Sequence, residues 1–456
     1  MMKASGAERQ SKTCRVSSSG TYGRRILSLF SCLLLLAGCE SIAKGITSAV
    51  LDSREDQEDT RLCVAEGAPF PGVMPYLEKQ DSLPPIEEGN VERPQVKLLY
   101  VHGIGTHTPG HSIDLMQNLA ASLDLEIRAP RNKRIVLKAP QMPDQELGEM
   151  NLARFTDQAR QRDFVFYELT WSPINKDAKE AVEFDSLDVY KNRRASINQA
   201  LRSFVNDVGP DPIAFAGNKG DAILTSISQA MCWMWSSTWS ELPEETVDTA
   251  CELNEKFGSR AAIDDSAIIS HSLGSRATMD ALQAIVRRAD DPEIATNPDV
   301  ARLTDALKNR DLQFYMLSNQ LPLLEAGQDP QEKTGAEAEY CGPNAPLPDQ
   351  RFFKSLQMVA FSDPNDTMSY PIPAEWVETY VDSRLCPKVT NVTINIAQVN
   401  SLLGLGELAD PLTAHIGYSA DERVGGLIAQ GDGHKSIAPI VEERCTWLET
   451  DEKLMD

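Results

Sequence analysis

Short apolar runs recur along the chain from residue 96 onward, with helix-like segments between them. The runs are continuous rather than alternating, which is typical of strands buried on both faces of a parallel sheet. Helices between such strands supply the crossovers, so the pattern predicts an α/β fold with a mostly parallel central sheet flanked by helices. The predicted strands cover residues 96–103, 134–140, 164–171, 266–270, 312–318, 357–362 and 392–399.

Two segments interrupt this pattern. Residues 172–263 are mostly helix-like and longer than a simple crossover, and residues 325–350 form a polar loop. The first segment contains the stretch QAMCWMWSSTW at residues 229–239. We interpret this stretch either as an apolar pocket or lid over a site, or as an ordinary buried helix, and the sequence leaves both interpretations open.

The amino-terminal segment differs from the rest of the chain. Six Lys and Arg residues precede the apolar run at residues 26–37, which is short for a bilayer span but suits the core of an export signal. The run ends in Leu36-Ala37-Gly38-Cys39, which resembles the lipobox of bacterial lipoproteins. The resemblance implies a signal peptide at residues 1–38, a lipid on Cys39 and a location in the bacterial cell envelope. Glu40 in the next position favours the outer over the inner membrane.

Composition adds limits on the partners. Residues 39–94 are polar and dotted with proline, which predicts a tether before a folded body at residues 95–450. The net formal charge is −23, and removal of residues 1–38, with six basic residues and one acidic, makes it −28. Such a surface repels phosphate backbones and anionic headgroups. We therefore expect no nucleic-acid binding, and membrane attachment through the lipid on Cys39.

Six cysteines remain after the signal and Cys39 are set aside. An even number in an exported protein suits disulfides, and the wide spacing lacks the CxxC pairs of a zinc site. Proximity in sequence favours Cys232 with Cys251 and Cys341 with Cys386.

The predicted strand at residues 266–270 runs into Ser270-His271-Ser272-Leu273-Gly274 and then into a helical pattern. A strand, a sharp turn and a helix around a serine are typical of a nucleophile elbow, normally written G-x-S-x-G. The turn needs small residues two positions before and after the serine, and Ser270 meets this less comfortably than glycine. The turn aims the N–H of Leu273 at an oxyanion formed by attack of Ser272.

The loop after the first predicted strand reads His102-Gly103-Ile104-Gly105 and is a second candidate for oxyanion binding. We assign the second donor to the backbone N–H of Ile104 and a structural role to His102. His107 and His111 are four residues apart, but the intervening Pro-Gly indicates a loop, so we expect no metal site there. Ser112 is the predicted N-cap of the next helix.

A serine nucleophile also needs a base and an acid that orients the base. Asp363 and Asp366 both follow a predicted strand, and we favour Asp366 as the acid, with Asp363 as a turn-former beside Pro364. Of the two histidines that follow, we predict that His415 lies directly after a strand and before a helix-like segment, whereas His434 lies beyond that helix. We therefore favour His415 as the base.

Serine, acid and histidine thus occur in chain order, after an HG-x loop, and residues 96–431 resemble the α/β-hydrolase superfamily of lipases and esterases. The resemblance implies an α/β-hydrolase fold with a helical cap or insertion, and hydrolysis of an ester through Ser272, His415 and Asp366 without metal or organic cofactor. An acyl ester or a lipid is the expected substrate. Two alternatives are a non-catalytic lipoprotein that binds partners through the same fold, and an acyltransferase with the same triad.

Overall fold

A computed structural model describes most of the chain beyond residue 60. The described residues are 61, 63–78, 93–125, 131–156, 162–191, 194–243, 247–251, 257–326, 330, 335–402, 406–431 and 438–448. The predicted signal, the lipidation site Cys39, part of the predicted tether and the alternative base His434 lie outside them. Within the described ranges, no helix is both long enough and apolar enough to cross a membrane.

The centre of the fold is a large, mostly parallel sheet. Its strands and those of a separate hairpin are β1 (Cys63–Gly67), β2 (Gln95–Val101), β3 (Arg131–Leu137), β4 (Glu149–Thr156), β5 (Asp163–Thr170), β6 (Val247–Thr249), β7 (Asp265–His271), β8 (Asp311–Leu317), β9 (Ser355–Ser362), β10 (Pro387–Ile394), β11 (Asn400–Leu402), β12 (Gly406–Leu408) and β13 (Cys445–Leu448). In the described part of the chain, the sheet order is β13-β1-β10-β9-β8-β7-β2-β5-β4-β3-β6, and β11 pairs with β12. The run from β10 to β5 is parallel throughout.

Helices connect the strands. The α-helices are α1 (Met74–Glu78), α2 (Ile113–Ser122), α3 (Lys176–Glu183), α4 (Asp188–Lys191), α5 (Ser196–Val208), α6 (Pro210–Ala216), α7 (Gly220–Ser236), α8 (Phe257–Ile263), α9 (Leu273–Ala289), α10 (Pro292–Ala295), α11 (Pro298–Leu307), α12 (Leu321–Leu324), α13 (Glu337–Tyr340), α14 (Ala374–Tyr380), α15 (Pro411–Ile416), α16 (Glu422–Gln430) and α17 (Pro439–Arg444). Short 3-10 turns cover Ser172–Asn175, Phe184–Ser186, Pro348–Gln350, Ser383–Leu385 and Gly417–Ala420.

Both faces of the sheet are covered, which explains the continuous apolar runs. Adjacent side chains of a strand point to opposite faces. Accordingly, Leu99 of β2 belongs to a buried cluster that includes Leu282 of α9. Its neighbour Leu98 belongs to another buried cluster, with Leu119 of α2 and Leu427 of α16. The predicted α/β fold with a mostly parallel sheet flanked by helices is therefore confirmed.

The predicted strands correspond to β2, β3, β5, β7, β8, β9 and β10, but two of them are displaced: β3 lies three residues and β10 five residues earlier in the chain than predicted. The last strand ends at Ile394 rather than Val399. It ends there because the N–H groups of Ile396 and Ala397 donate to the carboxylate of Asp363 instead of to a neighbouring strand. Strand β4, antiparallel to both of its neighbours, was not among the predicted strands.

The predicted tether is wrong for residues 63–78. Strand β1 pairs antiparallel with β10 and parallel with β13, and helix α1 buries Met74 and Leu77. The physical reason is that Cys63 and Ala65 face the core from a strand of five residues, which is too short to show an apolar run. The folded body therefore begins by residue 63 rather than at residue 95.

Three disulfides join the described cysteines. The two pairings favoured by proximity, Cys232 with Cys251 and Cys341 with Cys386, are confirmed. The third joins Cys63 of β1 to Cys445 of β13, which are 382 residues apart in sequence.

The tryptophan-rich stretch at residues 229–239 packs under the sheet as a buried helix. It forms the end of α7 and the turn after it, where Met231, Met234, Trp235 and Trp239 belong to the core. The interpretation as a lid or acyl pocket is therefore wrong for this stretch, because its side chains are used by the core. The insertion reaches the site through two other helices, α5 and α6.

The carboxyl ends of β2, β7, β8 and β9 lie along one edge of the sheet. The chain passes from β2 to β5 on one side and later returns to β7 on the other side of β2. Ligands of open α/β sheets bind in the crevice at such a reversal of strand order. The loop that starts at His102 and the turn at Ser272 both lie at this crevice.

Candidate active site

Ser272 lies on a strained turn between strand and helix. Its backbone has φ 54° and ψ −126°, a region that residues other than glycine rarely adopt. Strand β7 ends one residue before it, at His271, and α9 starts one residue after it, at Leu273. The N–H of Ser272 donates to the carbonyl oxygen of Leu317 on β8 at 2.9 Å, which ties the turn to the neighbouring strand.

Close packing explains which residues flank the serine. A Cβ on Gly274 would lie 2.6 Å from the carbonyl oxygens of Val101 and His102, so the glycine is required by strand β2. The position of Ser270 is less demanding. Its side chain is fully buried and its Oγ donates to Oγ of Ser275 at 3.3 Å. Serine therefore fits where the usual motif has glycine, and it adds a contact across the turn.

Ser272, His415 and Asp366 are adjacent in the structure although they are far apart in sequence. The Nε2 atom of His415 lies 3.2 Å from Ser272 Oγ. Its Nδ1 atom lies 3.1 and 3.0 Å from the two carboxylate oxygens of Asp366. A carboxylate only accepts hydrogen bonds, so Nδ1 carries the proton and Nε2 is free to accept the serine proton. This arrangement can activate a serine hydroxyl.

The sequence indicated that His415 lies directly after a strand of the sheet, but His415 lies on helix α15. The separate hairpin β11–β12 stands between β10 and this helix. Asp410 caps the helix by accepting from the N–H of Leu412 at 3.1 Å. The side chain of His415 is 9 % exposed and faces the site.

Asp363 has a structural role. Its Oδ2 accepts from the N–H groups of Ile396 and Ala397 at 2.7 and 2.9 Å, and its Oδ1 accepts from the N–H of Asn365 at 2.7 Å. The contact with the Asn365 N–H closes the turn that the sequence predicts at this position. These amides occupy both oxygens of Asp363, and the carboxylate that contacts the imidazole of His415 is that of Asp366.

The sequence reasoning missed Ser318, which joins the same cluster. Its Oγ donates to Asp366 Oδ2 at 2.7 Å and lies 2.9 Å from His415 Nδ1. Ser318 is fully buried, follows β8 directly and has a positive φ of 50°. The signal in the sequence was its position at the carboxyl end of a predicted strand, the same criterion that selected the aspartates.

Electrostatics at the cluster favour an ionised Asp366. Burial alone would raise the pKa of Asp366, but the hydrogen bond and charge of His415 oppose it. Hydrogen bonds from Ser318 and from the N–H of Met368 also oppose it, and the net pKa is below the ordinary value. An ionised carboxylate can stabilise the imidazolium that forms when His415 accepts a proton.

The loop after β2 is held by His102, which has the structural role expected of it. Its Nδ1–H donates to the carbonyl oxygen of Gly103 at 2.8 Å, and its Nε2 accepts from the N–H of Trp171 at 3.0 Å. Burial, with smaller contributions from nearby His107 and His111, lowers the pKa of His102 well below its ordinary value, so the ring is neutral. In a trans peptide the N–H points away from the carbonyl, so this contact also sets the direction of the Ile104 N–H.

The loop also lies directly against the nucleophile. A Cβ on Gly103 would lie 2.7 Å from the Cβ of Ser272 and 3.3 Å from its Oγ. The predicted oxyanion donors are the N–H groups of Ile104 and Leu273. Among the described residues, neither N–H group has a hydrogen-bond acceptor. Both therefore remain available to a developing negative charge.

His107 and His111 lie on a loop, as predicted. The Nε2 of His107 lies 3.1 Å from the carbonyl oxygen of Ile104, and Nδ1 of His111 lies 3.1 Å from that of Thr108. Ser112 precedes α2 but makes no side-chain cap. Its hydroxyl donates instead to Glu168 of β5, which also accepts from the N–H of Gly110 at 2.6 Å.

A cavity of about 440 Å³ opens onto Ser272 and His415. Much of its lining is apolar, with Ile104, Phe204, Val208, Met368, Leu412 and Ile416. Pockets of this size hold small molecules. The polar atoms of Ser272 and His415 thus meet a space suited to an apolar group.

Comparison of the chain with protein-family models, with curated proteins and with solved structures gives no match.

Proposed function

We propose that this protein is a serine hydrolase with an α/β-hydrolase fold that cleaves an acyl ester. The observation that carries the proposal is the 3.2 Å contact between Ser272 Oγ and His415 Nε2, with Asp366 at 3.0 Å from the other ring nitrogen. The strained backbone of Ser272 supports it, since strain of this kind is concentrated at functional sites.

The chemistry follows from this geometry. Ser272 Oγ attacks the ester carbonyl carbon while His415 Nε2 takes its proton, and Asp366 stabilises the imidazolium. The N–H groups of Ile104 and Leu273 hold the oxyanion. Collapse of the tetrahedral intermediate breaks the bond to the alcohol, which leaves with the proton from Nε2. Water then gives a proton to the same nitrogen as its oxygen attacks the acyl-enzyme. The bond between the acyl carbon and Ser272 Oγ breaks, Oγ takes the proton back from Nε2, and the acid is released.

The cavity supports an ester with an apolar acyl group as substrate, such as a lipid. Its apolar lining lies beside the nucleophile, and its size suits a group of moderate length. We further propose that Cys39 carries a lipid and holds the protein at the cell envelope, so that the active site stays close to membrane esters.

An activity-based probe tests the proposed nucleophile. A fluorophosphonate should label the purified protein, and Ser272→Ala should abolish labelling. Ser270→Ala is a matched control because it removes a nearby buried hydroxyl without touching His415. Labelling that is equal in wild type and Ser272→Ala, or no labelling together with no turnover of p-nitrophenyl esters of any chain length, would contradict the proposal.

Acyl transfer and lipid attachment are tested separately. Release of free acid in water indicates hydrolysis, whereas a product formed only with an added alcohol or amine indicates transfer. Metabolic labelling with a fatty acid should mark the wild type and not Cys39→Ala, and the variant should leave the membrane fraction.

A further inference from the structure

The helical insertion is bonded directly to the loop that bears Ile104. Asp211, in the first turn of α6, is fully buried and its Oδ2 accepts from the N–H of Gly105 at 2.6 Å. Its Oδ1 accepts from Nδ2 of Asn175 at 3.0 Å, and Nζ of Lys179 lies 3.2 Å from Oδ2. The insertion is thus more than a cover, because it binds the backbone at the active site.

A second carboxylate of the insertion binds the next residue of the loop. Asp207 of α5 accepts from the hydroxyl of Thr106 at 2.6 Å and from its N–H at 3.3 Å. Lys179 lies within 3.3 Å of this carboxylate as well. Two consecutive amides of the loop, Gly105 and Thr106, are therefore held by side chains that come from residues 172–263.

Ile104, which bears the proposed oxyanion donor, lies between two peptide planes. The plane before it contains the Gly103 carbonyl and the Ile104 N–H, and His102 fixes this plane by binding the carbonyl. The plane after Ile104 is held at both ends, because His107 donates to the Ile104 carbonyl and Asp211 accepts from the Gly105 N–H. Gly105 has a φ of 101°, which glycine adopts readily and other residues rarely do. Because a glycine backbone is permissive, the orientation of this plane depends on the hydrogen bonds that hold it.

Burial of the charged Asp211 side chain costs desolvation free energy. A carboxylate with no exposure must be compensated by charges and hydrogen bonds. Burial raises the pKa of Asp211, and Lys179, the Gly105 N–H and Asn175 oppose the rise only in part.

We propose that Asp211 is a positioning residue that holds the Gly105 amide and thereby fixes the orientation of the Ile104 N–H at the reacting carbonyl. The proposal rests on the proposed serine hydrolase function. It couples the position of the insertion to the rate of the chemical step, because a shift of α6 moves the loop beside Ser272.

Two substitutions of Asp211 test the proposal. Asp211→Leu has a similar size but no acceptor, so the Gly105 N–H and Asn175 both lose their partner. Asp211→Asn keeps an acceptor oxygen for the Gly105 N–H, and its NH2 group can donate to Oδ1 of Asn175 once that amide rotates, because this oxygen has no partner among the described residues. Asp177→Asn is the control, because Asp177 lies on the same insertion with a 67 % exposed side chain.

We expect Asp211→Leu to lower kcat by about ten- to a hundredfold with little change in KM, because misdirected oxyanion donors weaken binding of the transition state alone. Asp211→Asn should retain most of the rate, and Asp177→Asn should match the wild type. Wild-type kcat in Asp211→Leu, or an equal loss in Asp211→Leu and Asp211→Asn, overturns the proposal.

Amide hydrogen exchange of the peptide covering residues 103–107 gives a readout that does not need turnover. It should be faster in Asp211→Leu and close to normal in Asp211→Asn. Normal exchange in Asp211→Leu shows that Asp211 does not hold the loop. A wild type that holds the loop but neither hydrolyses esters nor reacts with a fluorophosphonate refutes the hydrolase function instead, and the positioning role with it.

Discussion

His271, the residue before the proposed nucleophile, donates its Nε2–H to the backbone carbonyl oxygen of His415 at 2.8 Å. A carbonyl oxygen only accepts, so the direction of this bond is fixed. His415 belongs to the six-residue helix α15, which follows a hairpin outside the main sheet. The strand that carries Ser272 therefore also holds the segment that carries the imidazole.

Removal of this contact should slow the reaction. We expect His271→Ala to lower kcat about tenfold, the equivalent of one lost hydrogen bond, because His415 is held less firmly. His271→Gln keeps an N–H at a similar distance and should retain most of the rate. Steady-state kinetics on a p-nitrophenyl ester measure both, and equal losses in the two variants would show that the donor is not what matters.

Asparagine at each of the two aspartates separates the acid from the turn-former. Asp366→Asn should lower kcat by about 10⁴-fold with the fold intact, because an amide favours the wrong tautomer of His415. Asp363→Asn should mainly lower the melting temperature, since Asp363 holds the amides of Ile396 and Ala397. Kinetics and thermal unfolding of both variants decide the matter, and the reverse pattern would exchange the two roles.

Ser318 should contribute to the rate less than Asp366 does. Ser318→Ala removes the hydrogen bond to Asp366 and should lower kcat by about three- to tenfold, since one neutral donor is lost and the carboxylate remains. Ser318→Gly also removes it but relieves the positive φ of 50°, so its stability should exceed that of Ser318→Ala. Urea unfolding and kcat are the measurements. An undiminished kcat in both variants excludes Ser318 from the mechanism.

The two small residues of the elbow should respond differently to change. Gly274→Ala should destabilise the protein by about 1–3 kcal/mol and reduce activity, because its Cβ collides with backbone oxygens of β2. Ser270→Gly restores the usual motif and should keep near-normal kcat, with a loss of at most about 1 kcal/mol. Melting curves and kcat test both. A severe loss of kcat in Ser270→Gly would mean that the Ser270 hydroxyl serves the chemistry.

Buried histidines should make the fold sensitive to acid. Burial lowers the pKa of His102 far below its ordinary value of 6.5, that of His107 to about 4 and that of His271 to about 3. Below pH 6.5 these histidines therefore bind protons in the unfolded state but not in the folded state. The folded state has its full stability above that pH and loses stability as the pH falls toward 4. Each such histidine contributes about 1.4 kcal/mol per pH unit.

Urea unfolding at several pH values between about 7.5 and about 4.5 checks this expectation. The free energy of unfolding should fall steeply over that range, and the slope should be smaller by about one proton in His271→Gln. A free energy that is flat across the range would mean that these rings are protonated in the folded protein.

The sequence was sufficient for those parts of the fold and site that depend on burial along one strand. Strands covered on both faces show continuous apolar runs, as in β2 and β8, and residues at their carboxyl ends meet at one edge. Ser272, Asp366 and His415 could therefore be brought together from chain order alone, although the sequence indicated a strand directly before His415.

Parts that depend on pairing across long distances could not be predicted. Strands β1 and β4 have no apolar run, because β1 is only five residues long and β4 has polar residues among its eight. Asp211 and His271 look like any other polar residues in sequence. Their partners, the Gly105 amide and the His415 carbonyl, are 106 and 144 residues away.

The bond between Cys63 and Cys445 closes nearly the whole folded body into a covalent ring. The bonded cysteines lie on neighbouring strands, β1 and β13, at one margin of the sheet, whereas β7, β8 and β9 lie in the middle. Mechanical tension between the amino- and carboxyl-terminal ends of the chain therefore passes through one sulfur–sulfur bond at that margin. The strands that carry Ser272, Ser318 and the Asp366 loop bear none of that load.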